Sequence, residues 1–154
     1  MERPDLLILP YTEERIEDVL DFERRLRDEE DFWGWEIDGA YIAAVQQSFR
    51  DPRFAHSLSL LAYTDGKVAG RIDSTLICSR FDGSIKAYLD WVCVLKSQRH
   101  KGTAQALMAE LRRQLRAAGA DTLIGLIAAN PDAQRFYHSL ENANIRDEGI
   151  WIDL

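Results

Sequence analysis

Apolar residues recur along this chain with two different periods, and the alternation of those periods predicts a sheet flanked by helices. Strand-like runs cover residues 6–9, 58–63, 68–77, 85–95 and 123–129. Apolar residues at helical spacing lie between them, in residues 16–26, 42–49, 104–115 and 133–140. A final strand pair is predicted over residues 145–154. The resulting order, βααβββαβαβ, is typical of an α/β fold built on a mixed sheet.

Turn and cap residues support these boundaries. The dipeptide Asp65-Gly66 separates two apolar runs, which is a strong hairpin signal, and Asp82-Gly83 separates the next two. The three central strands are therefore predicted to form an antiparallel meander. Asp38 and Asn130 are predicted helix N-caps, and Gly119 is expected to end the third helix. A strand, helix, strand order then implies that the last two central strands are parallel.

The length of the chain and the absence of a long apolar segment narrow the class of protein. A chain of 154 residues has the size of one domain, and no linker or repeat divides it, so residues 1–154 are predicted to form a single domain. The longest apolar run, residues 123–129, is far shorter than the ~20 residues of a membrane-spanning helix. The N-terminus lacks the features of a secretory signal. We expect a cytoplasmic protein with no membrane partner.

Charge and the metal-binding residue types exclude two further classes of function. The net charge is −7, which argues against binding to nucleic acid, because a nucleic-acid surface requires a basic face. The acids are concentrated in residues 1–51, whose net charge is −9, while residues 52–154 carry +2. Two cysteines in apolar strands and three scattered histidines form no metal-ligand pattern, so no metal is expected.

The most specific local signal is a glycine-containing loop between the fourth strand and the third helix, residues 98–104. The first N–H groups of a helix have no partner inside it and lie at the positive end of its dipole, so a phosphate can accept from several of them. Gly102 allows close approach of the backbone. Residues 96–116 contain six basic residues and one acid, which makes this region positive. The loop is therefore a candidate site for a diphosphate.

Two motifs together resemble the GNAT superfamily of acyl-CoA-dependent N-acetyltransferases. The first is Arg99-x-x-Gly102-x-Ala104 after Val92-Cys93-Val94, and the second is Asn130-Pro131-x-Ala133-x-x-Phe136-Tyr137. The predicted order of elements agrees with the family over essentially the whole chain. The resemblance implies a GNAT-like fold in which the central parallel strands splay apart. Many relatives continue the second motif into Gly-Phe, whereas this chain differs over residues 139–144, which implies a different turn into the last strand.

The resemblance also implies a co-substrate, acetyl-CoA, and residues that bind it. Its pantetheine arm would pair with the fourth strand, and its diphosphate would lie against main-chain N–H groups of the loop. The implied cofactor-binding residues are Val92, Cys93, Val94, Arg99, His100, Lys101, Gly102, Thr103, Ala104, Gln105 and Asn130. Asn130 would hold the pantetheine arm, and its role as a helix cap competes or coexists with that function.

Two residues are the candidate catalytic groups. Tyr137 matches the family position of the general acid that protonates the leaving thiolate; a tyrosine packed in the core is the alternative. Asp90 is the candidate general base, acting through a water, if it points into the cleft, where desolvation would raise its pKa. Exposure on the opposite face of the sheet is the alternative for Asp90, and Tyr88 could act instead. A strand bulge near Val92 or Cys93 would free an N–H group for the thioester carbonyl.

The acceptor is expected to be a small cationic amine. Residues 29–38 combine acids with two tryptophans, a composition suited to attracting a cation and stacking on it. The candidate acceptor-binding residues are Trp33, Trp35, Glu36, Asp73 and Tyr88; the alternative is that the aromatic residues pack the helices onto the sheet. The predicted activity is acetyl transfer from acetyl-CoA to a primary amine by direct attack in a ternary complex. A CoA-binding regulatory module and an acetyltransferase acting on basic peptides are the alternatives, and a homodimer is left open.

Overall fold

The computed structural model describes residues 5–30 and 35–154. Trp33, one of the candidate acceptor-binding residues, lies outside the described residues. The strands are β1 Leu7–Pro10, β2 Ser57–Thr64, β3 Lys67–Cys78, β4 Ile85–Val94 and β5 Thr122–Gly125. The helices are α1 Ile16–Glu29, α2 Gly39–Ser48, α3 Thr103–Ala117 and α4 Pro131–His138. None of the helices in these ranges is long and apolar enough to span a bilayer.

The strands form one mixed five-stranded sheet in the order β1-β2-β3-β4-β5. The first four strands pair antiparallel with their neighbours, which confirms the predicted meander. The hairpin between β2 and β3 turns at Asp65 and Gly66, whose φ angles of 53° and 74° are those that a tight two-residue turn requires. A backbone hydrogen bond from Asp121 N–H to Ile85 O, 3.2 Å long, joins β5 to β4 where the two strands begin.

The two faces of the sheet are covered by different helices. On one face, the apolar side of α1 packs against strand residues in a cluster of buried side chains. Its members are Val19, Phe22, Leu26, Leu61, Tyr63, Val68 and Leu95. On the other face, Leu107 of α3 lies close enough to Gly70 that a Cβ there would meet its side chain at 3.4 Å. The helical spacing seen in the sequence thus corresponds to the buried stripes of α1 and α3.

The described chain divides into two compact units, one ending at Ile124 and the other running from Gly125 to Leu154. The first unit contains four complete strands, most of β5, and helices α1 to α3. The second contains α4, whose first turn is capped as predicted: the side chain of Asn130 accepts from the N–H of Ala133 at 2.8 Å. The predicted cap Asp38 likewise accepts from Tyr41 N–H at 2.8 Å.

Two predicted strand segments are wrong. The run 123–129 forms a strand only as far as Gly125, and residues 145–154 form neither strand nor helix, so the last β of the predicted order is not present. Ile150, Trp151 and Ile152 are exposed. The reason is that an apolar, β-branched run indicates strand propensity, but a strand forms only over the length that its neighbour pairs with.

Candidate active site

The loop between β4 and α3 has the backbone geometry of an anion-binding turn. His100 and Gly102 adopt left-handed conformations with φ of 62° and 84°. Gly102 is also the N-cap residue of α3, and no side chain caps the helix. The first helical hydrogen bond runs from Ala106 N–H to Gly102 O, so the N–H groups of residues 103–105 precede the internal ladder of the helix. These groups are available for an anion.

Gly102 is required for its conformation and leaves space beside the turn. A Cβ built on Gly102 would meet no heavy atom within 4 Å. The glycine is therefore not there to allow packing within the protein. Its positive φ costs an L-residue free energy, and the open space lets a ligand approach the N–H groups. The residues present thus fit the diphosphate of an acyl-CoA.

The basic side chains of the loop bond to nearby groups of the protein, and Arg99 also forms an ion pair with Glu30. Arg99 donates from Nε to the carbonyl of Val94 at 3.2 Å. Lys101 donates from Nζ to the carbonyl of Ser97 and to Oε1 of Gln98, both at 3.1 Å. These bonds fix the course of the backbone, and the positive charges remain beside it. Main-chain N–H groups, rather than the side chains of Arg99 and Lys101, remain the predicted binding groups of the loop.

A bulge interrupts β4 beside the candidate base. Asp73 of β3 pairs with Trp91, and the next residue, Ser74, pairs with Leu89, so Asp90 has no partner in the register. The bulge considered near Val92 or Cys93 lies instead at Asp90, and both of those residues are in register with β3. A bulge frees backbone groups from the ladder and changes the direction of side chains. Asp90 thus interrupts the regular pairing of β4 with β3.

On the α1 face of the sheet, a buried arginine joins two carboxylates. Arg71 forms two hydrogen bonds of 2.7 Å to Asp73, from Nε and from a terminal nitrogen, and lies 3.3 Å from Oε1 of Glu23. Glu23 is 1% exposed and accepts from the hydroxyl of Tyr41 with both oxygens, at 2.7 and 2.9 Å. Ser59 donates to Asp73 at 2.7 Å. We call these five residues the arginine cluster.

The arginine cluster carries one more negative than positive charge. Burial by itself lowers the pKa of Arg71, but the charge and hydrogen bonds of Asp73 raise it above its ordinary value, so Arg71 remains a cation. Burial, followed by the hydrogen bond to Glu23, raises the pKa of Tyr41, which keeps its hydroxyl a donor. Two carboxylates thus face one guanidinium in a region of low dielectric.

Aromatic rings border the arginine cluster. The guanidinium of Arg71 lies 5.0 Å from the ring of Tyr11 and 5.3 Å from that of Trp91. The ring of Trp35 lies 6.2 Å from both Trp91 and Tyr41. Trp35 is 39% exposed, so this aromatic group extends from the buried charges to the surface. Guanidinium groups thus lie over two of these rings, Arg71 over Trp91 and Arg27 over Trp35 at 5.2 Å.

The thiol nearest to this region is unsuited to nucleophilic attack. Burial raises the pKa of Cys93 to about 12, with a smaller contribution from the charge of Glu30. A thiol with that pKa is protonated at neutral pH, and the thiolate is the reactive form. Over residues 5–30 and 35–154, no group of three or more histidine, cysteine, aspartate and glutamate side chains is arranged to hold a metal ion.

Comparison with known proteins identifies the family. A profile of the acetyltransferase (GNAT) family matches residues 43–141, which is more than half of the chain. The chain belongs to the GNAT acetyltransferase family. This confirms the resemblance that the motifs in the sequence indicated. No curated protein sequence matches the chain significantly.

Solved structures share the GNAT fold over nearly the whole chain. An aminoglycoside acetyltransferase from an uncultured soil metagenomic sample, in complex with sisomicin, superposes with a TM-score of 0.81 at 14% identity, covering 97% of this chain and 96% of the other. A ribosomal-protein-alanine N-acetyltransferase from Brucella melitensis biovar Abortus 2308 gives 0.74 at 15% identity, covering 97% and 99%. AAC(6')-Iy, in complex with the bisubstrate analogue CoA-S-monomethyl-acetylneamine, gives 0.76 at 19% identity, covering 97% and 99%.

The structure gives the expected GNAT site residues different environments. In the loop, Thr103 is buried, Ala104 is half-buried and Gln105 is exposed. Asp90 is exposed, so the burial on which its role as a desolvated base depends is absent. Tyr137 is half-buried on α4, and its ring packs edge-on against Phe136 at 5.2 Å.

The candidate acceptor-binding residues divide into two groups. Asp73 belongs to the arginine cluster, where it is bonded to Arg71 and Ser59, and Trp35 lies at the edge of the cluster. Tyr88 is half-buried on β4, opposite Thr75 of β3, and Glu36 is exposed. Asp73, a predicted cleft carboxylate, is instead half of an ion pair.

Sequence reasoning misses most of the arginine cluster and the ring beside it. Glu23, Arg71 and Trp91 are not among the candidates that it yields. One signal is present: Arg71 and Asp73 are two residues apart in an apolar strand, which places both charges on the same face of the sheet. Two charges on a face that is otherwise buried require partners, and the acidic side of α1 is where such a partner could be found.

Replacing Arg71 with methionine is expected to lower the free energy of unfolding by about 3–5 kcal/mol, because it leaves Glu23 and Asp73 buried without a counter-charge. Urea unfolding monitored by tryptophan fluorescence measures the loss. The matched control is Arg50→Met, which breaks the exposed ion pair with Glu13 and should cost less than about 1 kcal/mol. Similar small losses of unfolding free energy in both variants would show that the stability of the arginine cluster does not depend on its cation.

Proposed function

We propose that this protein is an acetyl-CoA-dependent N-acetyltransferase that acetylates a primary amine of a small cationic acceptor. The amine attacks the thioester directly in a ternary complex. The observation that carries the proposal is the arrangement along β4. The bulge and the net negative arginine cluster lie beside Trp91, and the loop with free N–H groups follows the end of the same strand.

The spacing along β4 supports a shared role for these two features. A strand rises about 3.3 Å per residue, so the bulge at Asp90 and the end of the strand at Val94 are about 13 Å apart. An extended pantetheine arm has two amide groups and can lie along a strand over such a distance. The diphosphate then belongs at the loop, where the N–H groups of residues 103–105 can donate to an anion, and the acyl end belongs at the bulge.

The charges of the arginine cluster support a cationic acceptor. Its surplus negative charge is buried, and interactions between charges are stronger where water is excluded. An ammonium group entering beside Trp35 and Trp91 is attracted by that charge; the rings themselves already carry guanidinium groups, Arg27 at 5.2 Å from Trp35 and Arg71 at 5.3 Å from Trp91. A neutral or anionic acceptor gains nothing from the same environment. The acceptor class therefore follows from the sum of the charges of Glu23, Arg71 and Asp73.

The roles of the side chains follow from direct transfer. Acetyl-CoA supplies an activated acyl group when it is bound. Asp90, exposed at the bulge, takes a proton from the acceptor's ammonium group through a water, which leaves the neutral amine to attack; Tyr88 is the alternative base on the same strand. Tyr137, at the family position of the general acid, donates a proton to the departing sulfur. The high pKa of Cys93 argues against an acyl-cysteine intermediate.

A thiol-release assay with acetyl-CoA against a panel of acceptors tests the proposal. We expect turnover with polyamines or aminoglycosides, and a kcat/KM at least about tenfold lower for neutral amine analogues of the same size. The preference should weaken at high ionic strength, because salt screens the attraction. Basic peptides form a separate arm of the panel.

Three results would contradict the proposal. Binding of CoA without turnover for any acceptor would favour a regulatory module. Turnover confined to basic peptides would favour an enzyme that acts on protein tails. Equal kcat/KM values for charged and neutral amines would show that the arginine cluster does not select the acceptor.

A further inference from the structure

Two adjacent carboxylates, of the last residue of α1 and of the residue after it, contact the segment between β4 and Gly102. Glu29 accepts from the N–H of Ser97 at 3.0 Å with one oxygen and from its hydroxyl at 2.6 Å with the other. Glu30, the next residue, forms an ion pair with Arg99. Sixty-eight residues separate Glu29 from Ser97 in the sequence. Two neighbouring carboxylates thus fasten the segment between β4 and Gly102 to a helix of the core.

The bond from Glu29 completes a short helical turn. Residues Lys96–Gln98 form one turn of 3₁₀ helix, and the residue before it, Leu95, provides no side-chain cap. Ser97 is the second residue of that turn, so its N–H group has no partner within the turn. The carboxylate of Glu29 serves as the missing cap. Although partial burial raises the pKa of Glu29, the hydrogen bonds from Ser97 lower it below the ordinary value, so the ionised carboxylate is the form that makes the contact.

Both carboxylates occupy an unfavourable position by local electrostatics. They stand at the C-terminal end of α1, where the helix dipole repels negative charge. They also stand beside a loop that, on the proposed function, receives a diphosphate anion. Their charge is unfavourable for the helix end and for an anionic ligand, so a favourable effect on cofactor affinity would come from the geometry that they impose on Ser97 and Arg99.

We infer that Glu29 and Glu30 are positioning residues. They hold residues 96–101 in the conformation that presents the N–H groups at the start of α3 to the diphosphate of acetyl-CoA. The inference rests on the proposed function of the loop. It assigns to the end of α1 a role in cofactor affinity that acts through the conformation of residues 96–101.

Whether CoA binding weakens or tightens when a carboxylate is removed distinguishes a positioning role from a purely electrostatic one. If the carboxylates acted only through their charge, removing either one would tighten binding of the anionic cofactor. Positioning predicts the reverse. Glu29→Ala should weaken CoA binding about tenfold, the effect of losing charge-assisted hydrogen bonds to the loop. Glu29→Gln should restore most of the affinity, because its amide oxygen still accepts from the N–H of Ser97.

Isothermal titration calorimetry with CoA measures these affinities without turnover, and the neighbouring acid provides the control. Asp28 is exposed on the last turn of α1, so Asp28→Asn makes the same change of charge without touching the loop. We expect Asp28→Asn to leave the Kd unchanged or slightly lower. Steady-state kinetics should show a raised KM for acetyl-CoA in Glu29→Ala, with kcat little changed.

The results separate two kinds of failure. Wild-type protein that gives no heat with CoA would overturn the proposed function and, with it, the inference about α1. Wild-type protein that binds CoA, together with a Glu29→Ala variant that binds equally or more tightly, would overturn the inference alone. If Glu29→Ala lost thermal stability but kept the wild-type Kd for CoA, the carboxylates would contribute to stability only, and the inference would be wrong.

Discussion

Replacing Tyr137 with phenylalanine is expected to lower kcat by about 10²–10⁴ and to leave the affinity for acetyl-CoA nearly unchanged. The magnitude is that of one general acid, because the variant lacks only the proton that Tyr137 is proposed to give to the leaving sulfur. The ring remains, so its edge-on packing against Phe136 is preserved. Steady-state kinetics and titration with CoA together measure the two quantities.

A second tyrosine separates this loss of catalysis from a loss of stability. Tyr63 is buried on β2 and donates to Asp18 at 2.7 Å. Tyr63→Phe removes that hydrogen bond and should lower the melting temperature with kcat unchanged. If Tyr137→Phe behaved like Tyr63→Phe, losing stability but not kcat, then Tyr137 would be a packing residue, and the proton would come from another group.

Replacing Gly102 with glutamate is expected to weaken CoA binding by at least about a hundredfold. Two effects add. The left-handed φ of 84° costs an L-residue about 1–2 kcal/mol, and the new carboxylate occupies the open space before the N–H groups, where it repels a diphosphate. Calorimetric titration with CoA gives the change in Kd directly.

Gly66 offers a matched control for the conformational cost of placing an L-residue at a left-handed φ. It has a φ of 74° and lies in the β2–β3 hairpin, and a Cβ added there, as at Gly102, would meet no heavy atom within 4 Å. Gly66→Glu should therefore cost similar stability and leave the Kd for CoA unaltered. If Gly102→Glu and Gly66→Glu bound CoA with equal affinity, the loop would not be part of the cofactor site.

Much of the fold could be predicted because local chemistry and tertiary structure agree. Asp65-Gly66 turns the hairpin, Asp38 and Asn130 cap their helices, and the helical stripes of α1 and α3 face the sheet. In each case a single residue or period determines the local conformation. The prediction failed for residues 145–154 because strand formation there depends on a partner strand, which no local pattern specifies.

The sequence indicates the backbone part of the candidate site more fully than its side chains, of which it yields Asp73 and Trp35 but not their partners. The loop around Gly102 was found because glycine at the start of a helix has a direct conformational meaning. Arg71 and Glu23 were missed because their pairing joins residues 48 positions apart. The bulge at Asp90 depends on the register of β3 against β4, which local sequence patterns do not determine.

The proposed function depends most on one contact, the binding of an acyl-CoA diphosphate by the main-chain N–H groups of residues 103–105. Amide NMR of ¹⁵N-labelled protein titrated with CoA tests it most directly, with pantetheine, which lacks the diphosphate, as the comparison ligand. We predict that CoA produces its largest shift changes at the amides of residues 99–105 and that pantetheine leaves those amides unchanged. Shift changes centred elsewhere in the chain, or equal changes in the loop with both ligands, would contradict the claim.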